Sequence, residues 1–222
     1  MTKIKACLFD LDGVIVDTAK YHYLAWRRLA KELGFDFTEE HNERLKGISR
    51  MDSLEILLEV GGLTLDENVK VKLAEKKNNW YCEYIAKMTP DEILPGTKEF
   101  LELLRGNKIK IALGSASKNS MSILTNVGLV NHFDAIVDGN NITHAKPDPQ
   151  VFLLGAKELG VAPEECVVFE DARAGIEAAI NAGMYSVGIG DPKILNKANI
   201  VVSSLKEMTL EKLNSQIYCK GA

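Results

Sequence analysis

No part of the 222-residue sequence approaches the roughly 18 consecutive apolar residues of a membrane-spanning helix, and the first apolar run is short, with only Lys3 and Lys5 beside it. Neither a membrane span nor an export signal is expected. An excess of one charge is missing as well: 27 basic and 31 acidic residues leave a formal charge of −4. Without a broad basic field, nucleic acid and anionic membranes are not expected partners, and a small metabolite is. Cys7, Cys82, Cys166 and Cys219 form no CxxC pair and lie far apart. Two of them fall in strand-like apolar runs, which reads as reduced core thiols in a cytoplasmic protein. His41, His132 and His144 lack metal-ligand spacing, and there is no internal repeat or low-complexity segment.

What the chain does have is alternation. Short apolar runs at 4–9, 109–113, 135–137, 166–169 and 186–189, with a weaker one at 200–202, read as strands. Helical patterns at 119–127, 150–159 and 174–182 each end in a glycine (Gly128, Gly160, Gly183). Asp148-Pro149 is expected to start the second of these, with Asp148 as N-cap and Pro149 in the first helical position. The fold class is therefore α/β, a Rossmann-like parallel sheet covered by helices.

The interval between residues 9 and 109 far exceeds the about thirty residues of a βαβ unit, so something is inserted there. Its content is helical: Leu24, Leu29 and Leu33 before Gly34, leucine-rich residues 54–58 before Gly61-Gly62, and a long charged helix over 66–87. The expected division is an α/β core of residues 1–14 and 93–222 with an inserted α-helical cap domain of residues 15–92. The two connections, 14–18 and 88–96, form a hinge.

Ligands in open parallel sheets bind beyond the carboxyl ends of the strands, and here those ends are polar. They carry Asp10 and Asp12, then Gly114-Ser115-Ala116-Ser117-Lys118-Asn119, then Lys146-Pro147, then Glu170-Asp171. Asp10 and Asp12, two apart, can divide phosphoryl transfer between nucleophile and proton carrier. Taken singly, each segment has an ordinary explanation: an Asp-Gly turn, a helix-starting Ser or Asn, a surface lysine, a solvated acidic loop. Together, four carboxylates need a cation, because two like charges 4 Å apart repel by about 4 kcal/mol at an effective dielectric of 20. Hard oxygen ligands suit Mg²⁺. Backbone N–H groups and a hydroxyl near a helix start, with Lys118, suit an anion.

LFDLDGVIVDT, GSASKN, KPDP and VVFEDARAGIEAA resemble, in order, the four motifs of the haloacid dehalogenase superfamily of phosphotransferases. The resemblance implies that Asp10 is the nucleophile forming an aspartyl-phosphate and Asp12 the general acid/base. It also implies that Asp10, the main-chain carbonyl of Asp12, and Asp171 hold Mg²⁺ with help from Glu170. Ser115, Ala116 and Lys146 would bind the transferring phosphoryl group.

Within that superfamily, DTAKYHYLAW, LKGISR and EKKNNWY are similar to the β-phosphoglucomutase subfamily. Its reaction interconverts β-glucose 1-phosphate and glucose 6-phosphate through the 1,6-bisphosphate. The likeness implies that Arg50, with Ser117, Lys118 and Asn119, grips the non-reacting phosphate. Lys46 and Gly47 would face the sugar, and His22 and Lys77, with Thr18 at the hinge, would couple cap closure to acid/base alignment. Closure excludes water from the phospho-enzyme. Two alternatives stay open: a sugar-phosphate phosphatase on the same fold, and a noncatalytic phospho-receiver or metabolite-binding regulator. Sugar phosphates are the expected ligands, and a monomer the expected state.

Overall fold

The computed structural model describes residues 4–45 and 49–216. The chain begins with β1 (Ala6–Phe9) and runs through α1 (Ala19–Glu32), α2 (Glu39–Glu43), α3 (Arg50–Val60), α4 (Glu67–Ile85) and α5 (Thr97–Gly106). There follow β2 (Lys110–Gly114), α6 (Ser120–Asn126), β3 (Ala135–Val137), α7 (Gln150–Leu159), β4 (Cys166–Glu170), α8 (Arg173–Asn181), β5 (Tyr185–Ile189), β6 (Ile200–Val202) and α9 (Leu210–Gln216). Two compact units result, residues 1–17 with 88–222, and residues 18–87. The expected junctions at 14/15 and 92/93 thus differ from the observed ones. The reason is hydrogen bonding inside the larger unit: Val16 bridges Ile93, the Leu94 N–H donates to the Ile15 carbonyl at 2.9 Å, and Thr97 Oγ1 donates to the Val14 carbonyl at 3.3 Å.

In the larger unit the described strands form one parallel sheet in the order β3-β2-β1-β4-β5-β6. All four residues of β1 are buried, as a central strand covered on both faces requires. On one face Phe9 stacks on Phe169 with centroids 4.5 Å apart, and Phe100 of α5 meets both edge-on. On the other, Ala6, Leu8, Ala112, Cys166 and Val168 pack against Val151, Phe152 and Ala156 of α7 and Ala178 and Ala179 of α8. Cys7 and Cys166 are free thiols; the register pairs Ala6 with Cys166, so the two point to opposite faces. From β1 the chain builds β2 and β3 on one side, then returns to build β4, β5 and β6 on the other. The crevice at this reversal lies beyond the carboxyl ends of β1 and β4.

Two helices of the larger unit depart from the sequence reading. Helix α5 was not anticipated, although its buried Phe100, Leu101 and Leu104 supply the necessary stripe. Helix α7 starts at Gln150 with Pro149 as N-cap, and Asp148 Oδ1 accepts the Gln150 N–H at 2.9 Å from one position earlier than expected.

The smaller unit is helical. Helix α1 buries Ala25, Trp26, Leu29 and Ala30; Leu24, expected on the apolar stripe, is 44% exposed. Trp26 replaces it because burial follows i, i+3, i+4 from residue 26. Helix α3 buries Leu54, Leu57 and Leu58, and α4 buries Ala74, Lys77, Trp80, Tyr81 and Ile85. No helix among the described residues is long and apolar enough to cross a membrane.

Candidate active site

The Asp10 N–H donates to the Phe169 carbonyl at 2.9 Å, which extends the β1–β4 ladder by one residue and fixes Asp10 beside Glu170. Beyond it Leu11 is buried, and residues 11–16 curl into a tight loop in which the Gly13 N–H donates to the Val16 carbonyl at 2.8 Å. Gly13 has φ +75°, and a Cβ there would stand 2.1 Å from Asp171 Oδ2. Only glycine both adopts that conformation and leaves room for the carboxylate.

Lys146 reaches this end of the sheet from the loop after β3, through a cis peptide bond to Pro147. Its Nζ lies 2.5 Å from Asp10 Oδ1 and 3.1 Å from Glu170 Oε1. Glu170 is buried, and its Oε2 accepts the Asp171 N–H at 2.9 Å. Oxygens of Asp10, Glu170 and Asp171, one from each, lie within 4.8 Å of one another.

The electrostatics follow from that crowding. Burial alone lowers the Lys146 pKa, but Asp10 and Glu170 outweigh it and hold the ammonium above its ordinary value. Burial pushes Glu170 up; Lys146 pulls it down, and Asp10 and Asp171 push it up further. Asp171 rises too, through burial and then the charges of Asp10 and Asp12. One ammonium does not neutralise this many carboxylates, and oxygens at that spacing fit a hard divalent cation.

The second expected part, residues 115–119, follows β2. Ser115 is buried and its N–H donates to the Val137 carbonyl at 3.0 Å. Ser115 Oγ accepts the Ser117 N–H at 3.1 Å, and Ser117 Oγ accepts the Asn119 N–H at 3.3 Å. Each hydroxyl therefore spends a lone pair inside the loop and keeps its O–H free to donate outward. Ala116 and Lys118 are exposed. Helix α6 has only 7 residues, so the groups available to an anion here are those of the loop rather than a helix dipole.

The expected residues of the smaller unit form their own cluster. Lys77 Nζ lies 2.8 Å from His22 Nδ1, 4.4 Å from the Trp26 ring centroid and 5.2 Å from that of Tyr81, on which His22 stacks at 4.0 Å. Burial, then the Arg50 charge, lowers Lys77 to about 7; burial, Lys77 and Arg50 hold His22 well below its ordinary value. When Lys77 is protonated its ammonium can only donate, and His22 Nδ1 then accepts. The sequence reads Lys77 as part of a charged helix, but it is 2% exposed. Arg50 opens α3 as an exposed residue, and Thr18 is the buried N-cap of α1. Lys46 and Gly47 lie outside the described residues.

Sequence reasoning passed over Gly175 and the turn at 138–141. A Cβ on Gly175 would collide with the Glu170 carboxylate, and the turn contacts residues 116–118. Glycine two residues into a helix pattern was the available signal for the first; the second had none.

The chain matches the family model described as haloacid dehalogenase-like hydrolase over residues 4–183. It is 44% identical to a β-phosphoglucomutase from Bacillus subtilis, over 96% of this chain and 95% of that one. It is 34% identical to a phosphorylated carbohydrates phosphatase from Thermotoga maritima, over 95% and 98%. A crystal structure of a β-phosphoglucomutase from Clostridium difficile has a TM-score of 0.87 with 46% identity, covering 96% of this chain and 97% of that one.

Proposed function

The chain belongs to the haloacid dehalogenase-like hydrolase family, and within it we propose that it is a β-phosphoglucomutase, interconverting β-glucose 1-phosphate and glucose 6-phosphate. The observation that carries the chemistry is the contact of Lys146 with both Asp10 and Glu170 at the reversal of strand order. Asp10 attacks phosphorus, the sugar oxygen leaves, and Asp12 gives that oxygen its proton; an aspartyl-phosphate remains on Asp10. In the second half Asp12 takes the proton of the 6-hydroxyl of β-glucose 1-phosphate as that oxygen attacks the aspartyl-phosphate, freeing Asp10 and giving the 1,6-bisphosphate, whose 1-phosphate Asp10 then attacks to release glucose 6-phosphate. Lys146, the Ser115 hydroxyl and the Ala116 N–H hold the phosphoryl oxygens.

Asp10, the main-chain carbonyl of Asp12, and Asp171, with Glu170 behind them, are the residues that would hold Mg²⁺. When bound, such a cation offsets the repulsion between the Asp10 carboxylate and the incoming phosphate. Ser117, Lys118 and Asn119 in the larger unit, and Arg50 in the smaller, are the proposed holders of the non-reacting phosphate, Arg50 by its guanidinium fork. His22, Lys77 and Thr18 serve acid/base alignment, and Lys46 and Gly47 the sugar. A cytoplasmic monomer completes the proposal.

Mutase is favoured over phosphatase by the 44% and 46% identical relatives and by the His22–Lys77 pair. The phosphatase relative at 34% identity keeps hydrolysis as the second reading. The deciding assay supplies Mg²⁺, β-glucose 1-phosphate and a trace of the 1,6-bisphosphate, and follows glucose 6-phosphate and inorganic phosphate together. Glucose 6-phosphate as the dominant product is expected. Rapid phosphate release with little isomer would establish the phosphatase instead, and neither product would point to a regulator.

A further inference from the structure

The turn at residues 138–141, at the end of β3, contacts three consecutive carbonyls of the loop after β2. A Cβ on Gly139 would stand 2.3 Å from the Ala116 carbonyl oxygen, and Gly139 has ordinary negative φ, so space alone demands glycine there. The Gly139 N–H donates to the Ser117 carbonyl at 3.1 Å. Asn140 Nδ2 donates to the Lys118 carbonyl at 3.1 Å.

The turn is itself braced. Buried Asp138 accepts the Asn140 N–H at 2.8 Å on Oδ1 and Asn140 Nδ2 at 3.2 Å on Oδ2. Its own N–H donates to Asn141 Oδ1 at 2.9 Å. Asn140 is thus held by Asp138 in the rotamer that reaches Lys118.

In a trans peptide the carbonyl and the next N–H point in opposite directions. Holding the carbonyls of 116, 117 and 118 against the turn directs the N–H groups of 117, 118 and 119 away from it. Two of those N–H groups end on the hydroxyls of Ser115 and Ser117, which sets where each O–H can point.

We propose that Gly139 and Asn140 are positioning residues for phosphate recognition, fixing the peptide planes of residues 116–119 so that the Ser115 hydroxyl faces the transferring phosphoryl group and the Ser117 hydroxyl and Lys118 N–H face the non-reacting phosphate. This rests on the reading of residues 115–119 as the phosphate loop. Neither residue touches the reacting atoms. In Gly139→Ala the Ala116 carbonyl must retreat by about 0.7 Å to restore a 3.0 Å contact, a displacement large enough to weaken binding at least about tenfold. Asn140→Ala loses two hydrogen bonds, to the Lys118 carbonyl and to Asp138 Oδ2; the one that holds the loop is exposed and worth roughly threefold to tenfold.

The test titrates the full-length protein with inorganic phosphate and follows the backbone amide resonances of Ser117, Lys118 and Asn119, beside sugar-phosphate turnover. The wild type shifts all three saturably. Gly139→Ala and Asn140→Ala raise the phosphate Kd by the factors above, and in Asn140→Ala KM rises while kcat stays within about twofold. Asn141→Ala is the control, since it loosens the same turn through Asp138 without touching residues 116–118, and it binds phosphate like the wild type. Unchanged phosphate affinity in Gly139→Ala and Asn140→Ala overturns the positioning role alone. Equal weakening in Asn141→Ala and Asn140→Ala also overturns it, because turn stability then explains the loss. If Gly139→Ala does not fold, Asn140→Ala decides. A wild type whose loop amides ignore phosphate removes the phosphate-loop reading and this inference together.

Discussion

Gly175, in the first turn of α8, lies directly against the carboxylate of Glu170: a Cβ there would stand 1.7 Å from Oε1 and 2.1 Å from Cδ. Residue 175 and the present position of Glu170 compete for one space. Glu170 holds that position because its Oε1 receives Lys146 and its Oε2 the Asp171 N–H, so a demand made on helix α8 is a demand on the acidic cluster.

Gly175→Ala therefore displaces Glu170. Alanine is the better helix former by about 1 kcal/mol, which offsets part of the repacking cost. We expect Mg²⁺ affinity, measured by calorimetry, to fall by about tenfold to a hundredfold, with activity partly restored at high Mg²⁺. A variant that binds Mg²⁺ as the wild type does would dissociate Glu170 from the metal.

Asp10→Asn removes the proposed nucleophile and is expected to abolish both isomer formation and phosphate release. Asp12→Asn keeps the main-chain carbonyl, so Mg²⁺ binding survives while kcat falls by about 10² or more. Parallel calorimetry and turnover separate the two. Substantial turnover by the Asp10 variant would rule out the covalent route.

Replacing Lys146 with methionine leaves Asp10 and Glu170 facing each other without their shared cation. Loss of one partner from a buried ion pair costs about 3–5 kcal/mol. Urea unfolding in metal-free buffer should show a loss of that order, and added Mg²⁺ should recover more stability in Lys146→Met than in the wild type. Equal recovery in both would show that the carboxylates do not share a cation site.

Lys77 gives a pH dependence whose sign is opposite to the usual lysine pair. Its folded pKa is lowered to about 7, so above that pH the unfolded chain binds the proton and the folded one does not. Stability then rises with pH from about 7, by at most about 1.4 kcal/mol per pH unit. Lowering of His22 extends the same slope to the acid side. Lys77→Met should flatten the slope between pH 7 and 9 in urea unfolding while reducing mutase activity; a slope identical to the wild type would place the titrating group elsewhere.

The strand ends were legible because each segment announces itself locally. Four short apolar runs end in Asp10, Ser115, the loop to Lys146, and Glu170, and the parallel sheet that alternation implies brings those ends to one edge. Phe100, Leu101 and Leu104 were equally available as a helical stripe, but they follow a proline-rich connection that read as hinge. Leu24 shows the opposite error, since leucine spacing suggested a face that Trp26 in fact occupies.

Local periodicity and residue type suffice for the α/β alternation, the order of the motifs and the identity of the chemically capable residues. Which glycines are obligatory and which charges are altered emerges only in the folded chain. Gly13, Gly139 and Gly175 are required by Asp171, Ala116 and Glu170, and the first two of those partners are distant in the chain or on another strand end. Lys77 became a buried amine beside His22 because Trp26 and Tyr81 close over it. Exclusion of volume and removal of water act between residues that meet only when the chain has folded.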